Sequence, residues 1–165
     1  MSIILIGMPG SGKTTLGKIV AKELGLTFYD SDKEIENKTK KTVLEIFSEM
    51  GEGHFRDLET ETLFSLASLD NAVISTGGGV VERPENIDIM KKSGTVIFIN
   101  RPLDDIIQNI NVSHRPLLKD GKDKLKELYA RRINLYKDAC NIEIINDKSI
   151  REAVKKITDE VKKNG

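Results

Sequence analysis

GMPGSGKT, residues 7–14, stands between an apolar run at residues 3–6 and a stretch with helical spacing at residues 16–24. It fits the pattern G-x-x-x-x-G-K-[ST], which marks a phosphate-binding loop (P-loop) when a strand precedes it and a helix follows it. Glycine lets backbone N–H groups turn inward around phosphate oxygens, and the helix adds its free amides and the positive end of its dipole. The segment therefore predicts a nucleoside triphosphate site within an α/β fold.

Each polar side chain of this loop has a predicted task. Lys13 reaches the outer phosphates, and the Thr14 hydroxyl ligates Mg²⁺. The alternative is a glycine-rich turn that binds nothing, and the order of strand, loop and helix disfavours it. The predicted phosphate contacts in this segment are Gly10, Ser11, Gly12, Lys13, Thr14 and Thr15. Kinases, GTPases, motors and nucleotide switches all use this cradle, so the acceptor site must distinguish them.

The rest of the chain alternates between strand and helix patterns. Apolar runs rich in β-branched residues predict strands at residues 2–6, 72–75, 95–99 and 142–145, with a weaker one at residues 26–29. Three of the helical stretches start with a Ser/Thr-x-x-Glu capping pattern, at Ser31, Thr42 and Ser149. Parallel strands need crossover helices, so the alternation predicts a three-layer α/β sandwich with helices on both faces of a parallel sheet.

Composition limits the classes of function. The 165 residues fit one domain, and 26 Lys and Arg balance 26 Asp and Glu, which leaves no bulk positive charge for a nucleic-acid backbone. No apolar run approaches the roughly 20 residues that span a bilayer. The single cysteine, Cys140, forms no internal disulfide, and the chain opens directly into a strand-like run without a signal peptide. We therefore expect a cytoplasmic location. We also expect a monomer, because no heptad or exposed apolar stripe stands out.

Two carboxylates follow the second predicted strand, at Asp30 and Asp32. Ligands collect beyond the carboxyl ends of parallel strands, so Asp30 could hold Mg²⁺ through its water shell and Asp32 could accept or orient an acceptor hydroxyl. Acids at a helix start are also common without any such function, because they interact favourably with the helix dipole. Spacing alone leaves both interpretations open.

An arginine and a run of glycines supply candidate acceptor contacts. Arg56, in FRDLE at residues 55–59, could grip a substrate carboxylate through a bidentate fork, or could simply pair with Glu59 three residues on. The run TGGG at residues 76–79 directly follows the third predicted strand. Three successive residues without Cβ favour close approach of a ligand to the main chain over a simple turn.

The polar segment 111–124 separates two helical stretches and is predicted to be a mobile loop. It contains Arg115, which could move over the phosphates and neutralise charge on the transferred group. Beyond it, Arg131 and Arg132 lie on a helical stretch whose apolar residues face the core, which leaves one arginine free to point at the site. Spacing does not decide which of the two it is.

In this order and spacing, the motifs resemble those of the shikimate kinase family: GMPGSGKT, DSD, FRDLE, TGGG, RPLL and RINLY. The resemblance runs from residue 3 to about residue 139. It implies a fold like that of the nucleoside monophosphate kinases, with a five-stranded parallel sheet, a substrate-binding helical region at about residues 31–62 and a lid at about residues 111–124. It also implies transfer of the γ-phosphate of ATP to the 3-hydroxyl of shikimate, in the chorismate pathway.

The resemblance further implies roles for particular residues. Asp32 would hold the acceptor hydroxyl as base or orienter, and Lys13 and Arg115 would act on the phosphates. Thr14 and Asp30 would hold Mg²⁺. The implied substrate contacts are Asp32, Arg56, Gly78, Gly79 and Arg132, where a shift of one residue would replace Arg132 by Arg131.

Two positions depart from the family pattern. Gln108 stands where the family often has an arginine near the adenine, and residues 146–148 match the adenine-contacting segment only loosely. Two other functions stay open: a kinase for another polyol acid such as gluconate, and a nucleotide-binding regulatory module that phosphorylates nothing. The motifs DSD and FRDLE favour shikimate over gluconate. The presence of Asp32, Arg56 and Arg115 together argues against a lapsed enzyme.

Overall fold

The computed structural model describes residues 2–112 and 119–164, and a five-stranded parallel sheet forms its centre. The strands are β1 (Ser2–Ile6), β2 (Thr27–Asp30), β3 (Ala72–Ser75), β4 (Gly94–Asn100) and β5 (Ile142–Ile145). Their order in the sheet is β2-β3-β1-β4-β5, with every neighbouring pair parallel. The predicted α/β class is confirmed, and each predicted strand is present to within one or two residues.

Helices cover both faces of this sheet. They are α1 (Lys13–Leu24), α2 (Ser31–Thr39), α3 (Val43–Met50), α4 (Glu52–Ala67), α5 (Pro84–Ser93), α6 (Leu103–Val112), α7 (Lys119–Ala139) and α8 (Ile150–Asn164), with a 3-10 turn at Val80–Glu82. Side chains of β1 alternate between the faces: Ile3 and Leu5 pack with α1 and α8, whereas Ile4 and Ile6 pack with α4 to α7. The three-layer sandwich is confirmed. No helix in the described part of the chain is long and apolar enough to cross a membrane.

Helices α2, α3 and α4 form a small subdomain with a core of its own. Ile35, Ile46 and Phe55, one from each helix, are buried together there. Gly51, with a φ of 86°, both ends α3 and starts α4, so the two helices form a hairpin. This core fixes the first turns of α4 on α2 and α3, and Arg56 lies on those turns.

Two of the three predicted helix caps are confirmed. The Thr42 hydroxyl accepts the backbone N–H of Glu45 at 3.1 Å, and the Ser149 hydroxyl accepts that of Glu152 at 3.1 Å. The prediction for Ser31 is wrong. Pairing with β3 extends β2 to Asp30, so Asp30 becomes the cap and its carboxylate accepts the N–H groups of the second and third helical residues, Asp32 and Lys33.

The prediction of a loop at residues 111–124 is wrong at both ends of that range. Helix α6 continues through Val112, and α7 already begins at Lys119. Buried contacts carry both helices into this polar segment, because Ile106 of α6 and Leu125 of α7 pack into the core beside the sheet. Arg115 lies outside the described residues, so its predicted position over the phosphates stays a prediction.

Candidate active site

The carboxyl ends of β1, β2 and β3 lie side by side and bring three of the predicted motifs together. Leu5 of β1 and Asp30 of β2 are both register partners of Ser75 in β3. The P-loop, the acidic pair at residues 30 and 32, and the glycines at residues 77–79 therefore begin at the same edge of the sheet. Parallel pairing alone produces this convergence, as expected for ligand sites in open α/β sheets.

The P-loop has the backbone that a phosphate cradle requires. Gly10 and Gly12 have φ values of 80° and 102°, a region that residues with a Cβ rarely adopt. Lys13 extends back across the loop, and its Nζ donates to the carbonyl oxygens of Gly7 at 2.7 Å and Met8 at 2.9 Å. Burial lowers the pKa of Lys13 to about 8, even though the charges of Asp32 and Asp30 act to raise it.

Three oxygen-bearing side chains meet beside the loop. The Thr14 hydroxyl donates to Asp30 Oδ2 at 3.1 Å and lies 3.4 Å from the Ser75 hydroxyl. Hydroxyl and carboxylate oxygens are the ligands that Mg²⁺ prefers, and this ion takes few of them from the protein when phosphates are present. Within the described ranges, no group of three or more His, Cys, Asp or Glu side chains could hold a metal ion.

A cavity of about 600 Å³ opens in front of the P-loop. Thr15 and Lys13 line it, and residues from later in the chain line it as well: Arg101, Asn109, Asn146 and Lys148. The Asn146 amide donates to the Ser11 carbonyl at 2.9 Å and so ties the end of β5 to the loop. The loosely matched segment 146–148 therefore belongs to this cavity. Gln108 is exposed and is not among the described residues that line it.

A second cavity of about 620 Å³ adjoins the first. Arg56 and Arg132 point into it, with side chains 12% and 6% exposed, whereas Arg131 lies at its rim with 59% of its side chain exposed. Burial thus distinguishes two arginines that spacing did not. The two cavities share four lining residues: Pro9, Asp32, Gly77 and Gly78.

Arg56 satisfies both interpretations of its sequence pattern. Its Nη1 donates to Glu59 Oε1 at 2.9 Å, the predicted pair within α4, and its Nη2 reaches Glu52 at 3.4 Å. The same guanidinium still faces the second cavity. The ion pairs and the cavity position are compatible, because a guanidinium has five N–H donors and the carboxylates use only some of them.

Each of the three glycines leaves room for a different neighbour. A Cβ on Gly77 would lie 2.8 Å from Glu59 Oε2 and 3.0 Å from Asp32 Oδ1, and one on Gly78 would lie 2.6 Å from the Pro9 ring. A Cβ on Gly79 would overlap the guanidinium of Arg56. Gly79 has a φ of −92°, so close approach and not backbone conformation explains its missing side chain.

Asp32 lies where the two cavities meet and has a perturbed carboxyl group. Burial, then the charge of Glu59, then that of Asp30 raise its pKa to about 6, with Lys13 acting in the opposite direction. Its Oδ1 and the Oε2 of Glu59 are buried and have no hydrogen-bond partner among the described residues. Because Asp32 lines both cavities, its carboxylate is placed to accept a hydrogen bond from a hydroxyl bound there.

Sequence reasoning missed the contacts that support this site from behind. The buried Tyr136 hydroxyl donates to the Gly78 carbonyl at 2.5 Å. Glu82 contacts Arg131 and Arg132 directly. No local pattern signals either contact, because the partners lie about 50 residues or more apart in the chain.

Two adjoining cavities define the class of the protein. The first has the P-loop of a nucleoside triphosphate site, and the second is lined by the buried Arg132 and the largely buried Arg56, together with three glutamates. The carboxylate of Asp32 belongs to both, at the place where an acceptor hydroxyl would meet the phosphates. This arrangement is that of a P-loop kinase that acts on a small molecule.

Comparison with known proteins identifies the family. The family model described as Shikimate kinase matches residues 9–162, and the chain belongs to the shikimate kinase family. It is 52% identical to the shikimate kinase of Clostridium botulinum strain Eklund 17B / Type B, over 94% of this chain and 93% of that protein. The family assignment makes this chain an ATP-dependent kinase.

Solved structures agree with this assignment. The shikimate kinase from Acinetobacter baumannii, solved in complex with shikimate, superposes with a TM-score of 0.92 at 35% identity, covering 99% of this chain and 93% of that one. A gluconokinase from Sinorhizobium meliloti 1021 superposes with a TM-score of 0.67 at 13% identity, covering 99% of this chain and 97% of that one. The second likeness is one of fold alone.

Proposed function

We propose that this enzyme transfers the γ-phosphate of ATP to the 3-hydroxyl of shikimate and releases ADP. The observation that supports this most strongly is the shared position of Asp32 between the P-loop cavity and the cavity with two buried arginines. Shikimate is a carboxylate with several ring hydroxyls. An acceptor of that chemistry needs cations at one end and a hydrogen-bond acceptor at the reacting hydroxyl.

In the proposed reaction, Asp32 holds and orients the attacking hydroxyl. Its carboxylate accepts the hydroxyl hydrogen, and its raised pKa makes it a better proton acceptor than an exposed aspartate. The hydroxyl oxygen forms a bond to the γ-phosphorus as the bond to the β-phosphate oxygen breaks. The proton passes to Asp32, and ADP leaves. Phosphoryl transfer depends mainly on such positioning and on charge stabilisation.

The acceptor is proposed to lie across the second cavity. Arg56 and Arg132 bind its carboxylate, because paired guanidinium groups recognise planar carboxylates through two N–H donors each. Gly78 and Gly79 contribute backbone amides near the ring hydroxyls. The Tyr136 hydroxyl fixes the peptide of Gly78 through its carbonyl. Arg131, at the rim, has no assigned contact in this proposal.

The phosphates are proposed to bind the loop from Gly10 to Thr15. Lys13 moves from the carbonyls of Gly7 and Met8 to the outer phosphates, and Arg115 neutralises charge on the transferred group. Thr14, with Asp30 through water, would hold Mg²⁺, and their oxygens fit that ion. Bound Mg²⁺ supplies charge neutralisation on the phosphate oxygens. We also propose a monomer in the cytoplasm, as expected from the sequence.

An ADP-release assay tests this proposal. Purified protein is incubated with ATP and Mg²⁺, with shikimate, gluconate or no acceptor in parallel. Shikimate-dependent ADP is expected, together with a stoichiometric amount of phosphorylated shikimate. ADP formed only with gluconate would show that gluconate, and not shikimate, is the acceptor. ATP binding without ADP from any acceptor would favour the regulatory module.

Gly79→Ala is expected to raise the KM for shikimate about tenfold and to leave the KM for ATP unchanged. The added methyl overlaps the Arg56 guanidinium, which is the far end of a flexible side chain and is displaced from its position in the cavity. A tenfold change corresponds to about 1.4 kcal/mol, within the usual range for a charged hydrogen bond. Steady-state kinetics with each substrate varied in turn measure both constants.

Gly53→Ala is the matched control for this variant. Gly53 lies in the same helix as Arg56, and a Cβ there would meet nothing within 4 Å. The control should keep both KM values and should stabilise α4 slightly, since alanine favours a helix over glycine. An unchanged KM for shikimate in Gly79→Ala would mean that Arg56 is not a substrate contact.

A further inference from the structure

Glu82 lies at the end of the 3-10 turn that follows the three glycines, and three arginines surround its carboxylate. Its Oε1 lies 2.7 Å from Arg131, and its Oε2 lies 3.0 Å from Arg132 and 3.7 Å from Arg56. The arginines come from α7 and α4, so one carboxylate connects two helices that approach the acceptor cavity from different sides. No local sequence motif contains it.

Glu82 approaches these arginines from behind the acceptor cavity. Arg56, Arg131 and Arg132 line that cavity, whereas Glu82 is not among its described lining residues. Its side chain is only 20% exposed. The carboxylate therefore does not occupy the place of a substrate carboxylate, and an acceptor can reach the arginines without displacing it.

The contact with Glu82 uses only part of the Arg132 guanidinium. Arg132 uses its Nη2 on Glu82, while its Nε is buried and has no hydrogen-bond partner among the described residues. A buried, unpaired donor on a charged group is costly unless a ligand supplies the acceptor. Glu82 thus fixes one end of the Arg132 guanidinium, while the arginine still lines the acceptor cavity.

Electrostatics also favours a negative charge at the place of Glu82. Arg56 and Arg132 are like charges held near one another with little solvent, so they repel each other. Arg56 also pairs with Glu59 and Glu52, but among the described ion pairs Glu82 is the carboxylate that contacts both arginines. Burial alone would raise the pKa of Glu82, but Arg132 and then Arg131 outweigh it and lower that pKa, so the carboxylate is ionised at neutral pH.

We propose that Glu82 is a positioning residue for substrate binding, which holds Arg132 and Arg56 at the spacing that receives the acceptor carboxylate. It touches neither the acceptor nor the phosphates. Its removal lets the two guanidinium groups separate and weakens binding of the carboxylate end of the acceptor. This inference rests on the proposed reaction with shikimate, and it adds a residue that the reaction itself does not require.

Glu82→Gln tests the proposal, because it keeps the size of the side chain and removes its charge. The KM for shikimate should rise about five- to tenfold, while kcat changes less than about twofold and the KM for ATP stays constant. Calorimetric titration of the protein with shikimate should show the same loss of affinity. Glu85→Gln, an exposed acid 61% open to solvent three residues away, is the control and should change nothing.

The methyl ester of shikimate separates positioning from a general loosening of the fold. The ester carries no carboxylate charge, so Glu82→Gln should change its KM less than about twofold relative to the wild type. An equal penalty on ester and acid would overturn the proposal, as would a KM for shikimate that stays constant or falls. Wild-type protein assayed in parallel distinguishes these results from failure of the proposed function, because then the wild type itself would not phosphorylate shikimate.

Discussion

Asp32→Asn is expected to lower kcat for shikimate about a thousandfold while the KM for ATP changes less than about threefold. General acid–base groups contribute roughly 10²–10⁴-fold, and an amide can orient a hydroxyl but cannot accept its proton. Asp32 belongs to both cavities but contacts none of the P-loop backbone donors among the described hydrogen bonds. Loss of its charge should therefore affect the transfer step more than nucleotide binding.

The pH profile provides a second measurement of the same role. The pKa of Asp32 is raised to about 6, so the wild-type carboxylate loses its capacity to accept a proton as the pH falls through about 6. The logarithm of kcat/KM for shikimate should decline below that pH in the wild type. In Asp32→Asn this acid limb should disappear, because the titrating group is gone.

Glu34→Gln is the matched control for Asp32→Asn, because it removes a carboxylate from the same first turn of α2. It should retain wild-type kcat and the acid limb.

Asp32→Asn should also unfold at no lower urea concentration than the wild type at pH 7. A raised pKa means that the folded state disfavours the ionised carboxylate. The resulting loss of stability is absent below the pKa that Asp32 has in the unfolded chain, and it grows as the pH rises through about 6. Unchanged kcat in Asp32→Asn would remove this residue from the mechanism.

The parts of the site that local sequence specifies could be predicted. The P-loop depends on eight consecutive residues and on the strand and helix beside them, so its geometry follows from the segment alone. Asp32 is a candidate site residue because it closely follows a predicted strand. Arg56 is a candidate because it lies in a stretch with helical spacing. Parallel pairing then brings these separate segments to one edge of the sheet.

The parts that depend on contacts between distant segments could not be predicted. Spacing left Arg131 and Arg132 equivalent, and only the packing of α7 on the sheet buries one and exposes the other. Asp30 replaced Ser31 as a helix cap because pairing with Ser75 fixes where β2 ends. Glu82 reaches Arg132 across 50 residues. Such contacts have no periodicity and no local motif.

Lys13→Met is expected to lower kcat at least a hundredfold and yet not to lower the free energy of unfolding at pH 7. Removing one charged donor from a phosphoryl-transfer site typically costs about 10²–10³-fold in rate. In the free enzyme, however, the same charge is buried behind the P-loop, with its Nζ directed at two carbonyls. Methionine fills a similar volume without a charge. Lys18→Met, at an exposed lysine of the same helix, is the control and should keep wild-type kcat.

The stability difference should depend on pH with a definite sign. The pKa of Lys13 falls from 10.5 to about 8 on burial, so the folded state holds this proton less tightly than the unfolded state. The buried charge therefore lowers the free energy of unfolding by its full amount below about pH 8, and by less and less as the pH rises towards 10.5. Any gain in stability from Lys13→Met should shrink over the same range. Urea unfolding at pH 7 and pH 10 measures the change. A variant that unfolds more easily at pH 7 would show that the hydrogen bonds to Gly7 and Met8 outweigh the buried charge. The expected result would mean that the charge of Lys13 serves phosphate binding and does not stabilise the folded protein in the absence of phosphates.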